Sequence, residues 1–167
     1  DSPKTDGIME LPDDAEVGMA GADYFNVNED IVFEIGLTPN RSDAMSHIGV
    51  ARDLKAVLNS RGGDLKMCMP SIKDFKIDNK DLTIDVKIES ESLCPRYSGV
   101  SISNITVNES PDWLKHKLLS IGINPINNIV DVTNYVLHET GQPLHAFDTE
   151  KILGKEITVS YTHLRAH

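Results

Sequence analysis

Apolar residues recur along this chain with two different periods, and the switches between them mark its elements. Ile31, Phe33, Ile35 and Leu37 alternate with other residues, which predicts a strand with one buried face. Thr38-Pro39-Asn40-Arg41 ends that strand, because proline has no N–H to give to a sheet ladder. The period then lengthens. Ile48, Ala51, Leu54 and Leu58 share one face of a helix that Ser42 or Asp43 can cap and Gly62-Gly63 ends. Leu82, Ile84, Val86 and Ile88 return to alternation, and Tyr97 to Ile105 is expected to form a further strand. Ser110-Pro111-Asp112 has a capping hydroxyl, a first-turn proline and an acid at the positive end of a helix dipole. Trp113, Leu114, Leu118 and Ile121 supply that helix's apolar stripe, and Gly122 stops it. Another helix is expected over Asp131 to Thr140, and Ile157 to Val159 opens a last strand that the chain does not finish.

Between these elements, residues 1–30 are loop-rich, and residues 61–81 combine two glycines, Pro70 and a mixed-charge run from Lys73 to Asp81. The expectation is an α+β chain in two parts, 1–63 and 82–159, joined by a linker at 64–81.

Composition narrows the class only a little. Apolar residues at 40% and charged residues at 25% fit an ordinary globular protein, and no apolar run approaches a membrane-spanning length. The first residue is Asp1 rather than Met, so the chain is expected to begin inside a longer protein. Cys68 and Cys94 lack a CxxC pattern and read as buried or free thiols in a reducing cytosol, not as a disulfide frame or a zinc site. A net charge of −10 argues against wrapping nucleic acid by backbone charge alone, although a local patch could still touch RNA.

The stretch from Val130 to Asp148 carries the most chemistry. Its helix stops at Gly141, and Pro143 prevents resumption, so His145 and Asp148 sit on a stiff turn beside Leu144 and Phe147. His145 reads either as a site residue or as a turn histidine bonded to backbone. Asn134, eleven residues upstream, reads as a site amide or as a surface or capping amide. Arg41 could meet nucleic acid, though pairing with Asp43 or a subunit neighbour is the simpler reading. Trp113 reads as core rather than as a base-stacking platform. His47, His116 and His138 share no metal-ligand spacing and are expected on solvated helix faces.

Several strings in order resemble the β subunit of bacterial phenylalanine–tRNA ligase. They are Gly7-Ile8-Met9-Glu10-Leu11-Pro12; Glu34 to Asp43 running into Ile48 to Leu54; Cys94-Pro95-Arg96-Tyr97-Ser98-Gly99; and Ile126 to Asp148. The resemblance implies that 1–63 is the end of an amino-terminal domain and 82–159 the first half of a tRNA-editing domain. It further implies an α2β2 heterotetramer in the cytoplasm that uses ATP and magnesium to attach phenylalanine to its tRNA. Adenylate formation would fall to the α subunit, with no cofactor bound by this segment. The β subunit would hydrolyse tyrosine wrongly esterified to that tRNA. A hydrophobic pocket rejects the same shape plus a hydroxyl only about a hundredfold, which is why a second site is needed. By resemblance His145 and Asn134 are the editing residues, positioning water or substrate. Asn124 stands where the family commonly has a basic residue near the tRNA end, and an uncharged amide offers no pull on phosphate. Two rivals remain open: a free-standing hydrolase acting in trans, and a non-catalytic RNA-binding or subunit-docking module.

Residues 160–167 depart from the family pattern. Back-translated, they resemble a transposase adapter used to prepare sequencing libraries, so they are expected to be an artefact without function, a natural tail being the alternative. The isolated chain is expected to aggregate and neither to charge nor to edit tRNA. Release of tyrosine from mischarged tRNA by the purified chain, above a buffer control, would contradict this.

Overall fold

The structure, a computed structural model, describes Gly7 and residues 9–25 and 30–160. Two compact units divide the chain, Asp1–Glu34 and Ile35–His167. In the first, helix α1 (Gly21–Tyr24) brings Tyr24 edge-on to Phe25, with ring centres 4.9 Å apart. The second contains α2 (His47–Ser60), β1 (Asp85–Ile88), α3 (Asp112–Ser120), α4 (Asn128–Thr140) and β2 (Glu156–Val159). Single 3-10 turns lie at Ser42–Ala44, Thr149–Lys151 and Leu153–Lys155. Helices with a small sheet make this unit mixed α+β. What was expected of residues 161–167, His163 and His167 included, lies outside the described residues; Ser160 is buried at the end of β2.

β1 and β2 run parallel, with Asp85 opposite Glu156 and Ile88 opposite Val159. Parallel neighbours need a long crossover, and here it carries α3 and α4. The last strand therefore has a partner, which the sequence reading had not foreseen. Among the described residues the sheet stops at two strands, so each strand keeps one open edge.

Two expected strands do not form. Ile31 to Leu37 alternates as a strand should, yet no segment among the described residues pairs with it, and Ile31 and Phe33 are exposed. Alternation marks a face that could be buried; it does not supply a partner. The run from Tyr97 to Ile105 is turned out of extended conformation at Asn104, whose φ of 59° is left-handed. Of the strand read from Leu82 onward, only Asp85–Ile88 joins the ladder.

Helix α2 forms where its apolar period predicts, but its cap differs. Ser46, rather than Ser42 or Asp43, accepts the Gly49 N–H on its Oγ at 3.0 Å. Residues Ser42–Ala44 instead make a 3-10 turn lying flat on the helix backbone. Glycine at 49 permits this, since a Cβ there would sit 2.5 Å from the Asp43 carbonyl oxygen and 2.6 Å from Ala44 Cα. Ala44 is buried in the contact. Arg41 closes the turn, its Nε 3.0 Å from Asp43 and its Nη2 2.7 Å from Asp53. These bonds, Asp43 first, raise the Arg41 pKa, and the Arg41 hydrogen bond lowers that of Asp43. Arg41 is thus tied to its own chain, through one acid the sequence suggested and one it did not.

The stripe of α2 is only half covered. Ile48 and Ala51 are partly buried, whereas Leu54 and Leu58 are 55% and 42% exposed. Both cysteines are free thiols, and Cys68 is exposed rather than buried. Replacing Gly49 with alanine should push the 42–44 turn off α2 at a cost of about 1–3 kcal/mol. Faster amide exchange along α2 in a β subunit carrying this segment would report it; unchanged exchange would refute the close contact.

Candidate functional site

Helix α4 organises the region, and its first turn does so with polar side chains. Asn127 is its N-cap, accepting the N–H groups of Ile129 and Val130 on Oδ1 at 3.0 Å each. Asn128 reaches sideways: its Nδ2 donates to the Thr106 carbonyl at 3.0 Å and its Oδ1 accepts the Asn108 N–H at 3.2 Å. Because the Asn128 N–H also donates to the Asn108 carbonyl, this one residue grips residues 106–108 much as a neighbouring strand would. Asp131 is completely buried. Its carboxyl group accepts Ser110 Oγ–H on one oxygen and the Ile126 N–H, at 2.9 Å, on the other. A buried carboxyl group is tolerated only when its oxygens have such partners.

That pairing explains the start of α3. Ser110 gives its hydroxyl to Asp131 instead of capping, and Pro111 takes the N-cap position, its carbonyl accepting the N–H groups of Leu114 and Lys115. Leu114 and Leu118, both 1% exposed, turn inward, and α3 packs along α4. Burial of each contributes about 2–3 kcal/mol. Trp113, expected in the core, is 57% exposed and meets Tyr135 of α4 edge-on at 5.6 Å. Burial, then the charge of Glu139, raises the Tyr135 pKa. Lys115 Nζ lies 2.8 Å from Glu109; the hydrogen bond raises the lysine's pKa and lowers the glutamate's.

At its other end α4 stops at Gly141, whose φ of 80° is the left-handed C-cap conformation and whose N–H bonds to the Leu137 carbonyl at 2.8 Å. The Gln142 N–H bonds back to Thr140 Oγ1 at 3.1 Å, and residues 141–148 continue as an exposed loop. His145 is exposed on this loop, its ring 6.3 Å from that of Phe147. Asp148 plays a local part: its Oδ1 accepts the Glu150 N–H at 3.1 Å and caps the following 3-10 turn. Asn134 lies in the middle of α4, partly buried, its carbonyl bonded to His138 Nδ1 at 2.9 Å. Asn124 is exposed on the loop between α3 and α4. Among the described residues no hydrogen bond or ring contact joins Asn124, Asn134 and His145 to one another. Among the described residues no group of three or more His, Cys, Asp or Glu is placed to hold a metal ion. Nor is any helix among them long and apolar enough to cross a membrane.

Residues 93–164 match the B3/4 domain family, which covers α3, α4 and the His145 loop. Over 154 residues the chain is 52% identical to the phenylalanine–tRNA ligase β subunit of Bacteroides fragilis, covering 92% of this chain and 19% of that one. The β subunit of Bacteroides thetaiotaomicron is 50% identical over 153 residues, again 92% and 19% of the two chains. That of Fusobacterium nucleatum is 45% identical over 151 residues, 90% and 18%. The chain belongs to the phenylalanine–tRNA ligase β-subunit family and spans about one fifth of the length of the relatives it matches.

Sequence reading overlooked the residues that build this region. The sequence pattern places Asp131 only at a helix start and gives no role to Asn127 or Asn128. The signal was present: an asparagine N-cap followed at the fourth position by an acid, just ahead of an apolar helix. His47 and His138, expected on solvated faces, are connected, His47 Nδ1 lying 3.1 Å from the His138 carbonyl. Asp131→Ala should destabilise α4 by about 3 kcal/mol, Ser110→Ala by about 1 kcal/mol, and the double variant by no more than Asp131→Ala alone. Amide exchange of α4 measures all three; full additivity would show that the two groups act independently.

Proposed function

We propose that this segment works inside a phenylalanine–tRNA ligase β subunit, where it helps clear tyrosine mischarged on phenylalanine tRNA. The 52% identity over 92% of the chain carries this reading. A match of 154 residues leaves 13 of 167 outside it (167 − 154), too few for residues 141–148 to escape. Ester hydrolysis needs a placed water and donors for the developing oxyanion, and an imidazole supplies either near neutral pH. His145 is exposed on a loop rooted at a helix end, where a substrate as large as a tRNA terminus can reach it. Asn134 orients the water in this reading. Asn124, on the exposed α3–α4 loop, touches the tRNA end without the electrostatic pull of a basic residue.

The rest of the activity belongs to the holoenzyme. Phenylalanine activation with ATP and magnesium takes place on the α subunit, in an α2β2 assembly in the cytoplasm, and no residue here is assigned to it. Residues 1–63 close an amino-terminal domain, 64–81 link, and 82–159 begin the editing domain.

One observation favours a second reading, subunit docking: Leu54 and Leu58 of α2 stand half-exposed on the same apolar face. A single variant separates the two. In the complete enzyme, His145→Ala should slow hydrolysis of tyrosine mischarged on phenylalanine tRNA by about 100-fold or more while phenylalanine attachment continues. Weakened association of α with β, with clearance intact, would favour docking and remove the editing role.

A further inference from the structure

Four observations converge on the place where α2 meets α4. Helix α4 ends at Thr140, so the carbonyls of residues 137–140 have no partner within the helix. The Leu137 carbonyl is taken by the Gly141 N–H, and the His138 carbonyl faces His47 Nδ1 at 3.1 Å, a contact 91 residues apart in sequence. A carbonyl oxygen only accepts, so the His47 proton sits on Nδ1 in this bond. Beside it, the Cβ position of Gly141 lies 3.5 Å from Ser46 Cβ and Oγ and 3.8 Å from the Met45 carbonyl oxygen. Thus the N-cap of α2 abuts the C-cap of α4, and the positive end of one helix dipole meets the negative end of the other. The N-cap is itself held, because Gly49 lies flat on the buried turn at Ala44.

The loop carrying His145 leaves from this junction. Residues 141–148 are exposed, and the described ring contact of His145 is with Phe147 of the same loop. The loop is held at its two ends, at Gly141 and at Asp148, which caps the 149–151 turn, and the Gly141 end is the one that meets α2. We propose that His47 is a positioning residue for the editing reaction: by holding the His138 carbonyl it fixes the end of α4, and with it the direction in which His145 is presented. This rests on the editing role proposed for His145. A residue at the start of α2, before residues 64–81, would thereby set the geometry of a site beyond them.

The test uses the complete α2β2 enzyme with phenylalanine tRNA preloaded with tyrosine. His47→Leu removes the donor at similar size, whereas His47→Asn keeps an N–H donor near the place of Nδ1. Misplacing a catalytic group slows the chemical step without weakening binding of a large substrate. His47→Leu should lower kcat for tyrosine release by about fivefold, leaving KM and phenylalanine attachment unchanged, and His47→Asn should restore kcat to within about twofold. Wild-type release by His47→Leu would overturn the proposal. So would a loss that His47→Asn does not restore, or an equal fall in phenylalanine attachment. If His145→Ala itself left tyrosine release undiminished, the editing role would fall first, and that outcome is read from a separate variant.

Discussion

A buried carboxyl group fixes how α3 and α4 meet. Asp131 is shielded from solvent, so Ser110 and the backbone at Ile126 must stay where its two oxygens require. Those contacts set where α3 starts and how the loop before α4 closes. Apolar burial alone would define this arrangement less sharply, because Leu114, Leu118 and Ala44 are the hydrophobic residues fully buried among those described. Directional bonds fix a geometry that so small a core leaves open. Asn128 extends the same logic, turning a helix end into an anchor for residues 106–108, while Asn127 caps the helix itself.

With its start secured by Asn127, Asn128 and Asp131 and its end held against Ser46 and His47, α4 acts as a strut. Thirteen residues give it a length of about 20 Å. The editing account needs little more from the fold than this. The strut places Asn134 midway and delivers His145 just beyond a left-handed glycine, on a loop whose direction follows from its root. Exposure of the imidazole suits a reaction whose substrate arrives at the end of a tRNA.

Much of this was legible beforehand, and the failures share a cause. Helices α2, α3 and α4 announce themselves because their signals are local: an apolar period of three to four and a glycine stop. Strands are not local. Ile31 to Leu37 has the right alternation, but pairing depends on another segment being alongside, and the run from Tyr97 to Ile105 also carries a left-handed residue, Asn104. Conversely, the partner of β2 lies some seventy residues earlier, which no window along the chain reveals. The cap of α2 falls at Ser46 because the 42–44 turn packs flat on Gly49, a contact that no local pattern announces. His145 stood out as a turn residue from Gly141 and Pro143 alone. His47 did not, since its bond is to a backbone carbonyl on another helix, and a carbonyl leaves no mark in a sequence.

The central claim is that the side chain at position 145 faces the esterified end of the tRNA. A photoreactive amino acid placed there, in a complete β subunit paired with α and bound to mischarged tRNA, measures this directly. The account predicts cross-linking to the terminal adenosine. Cross-links confined to the α subunit or to other parts of β would contradict it.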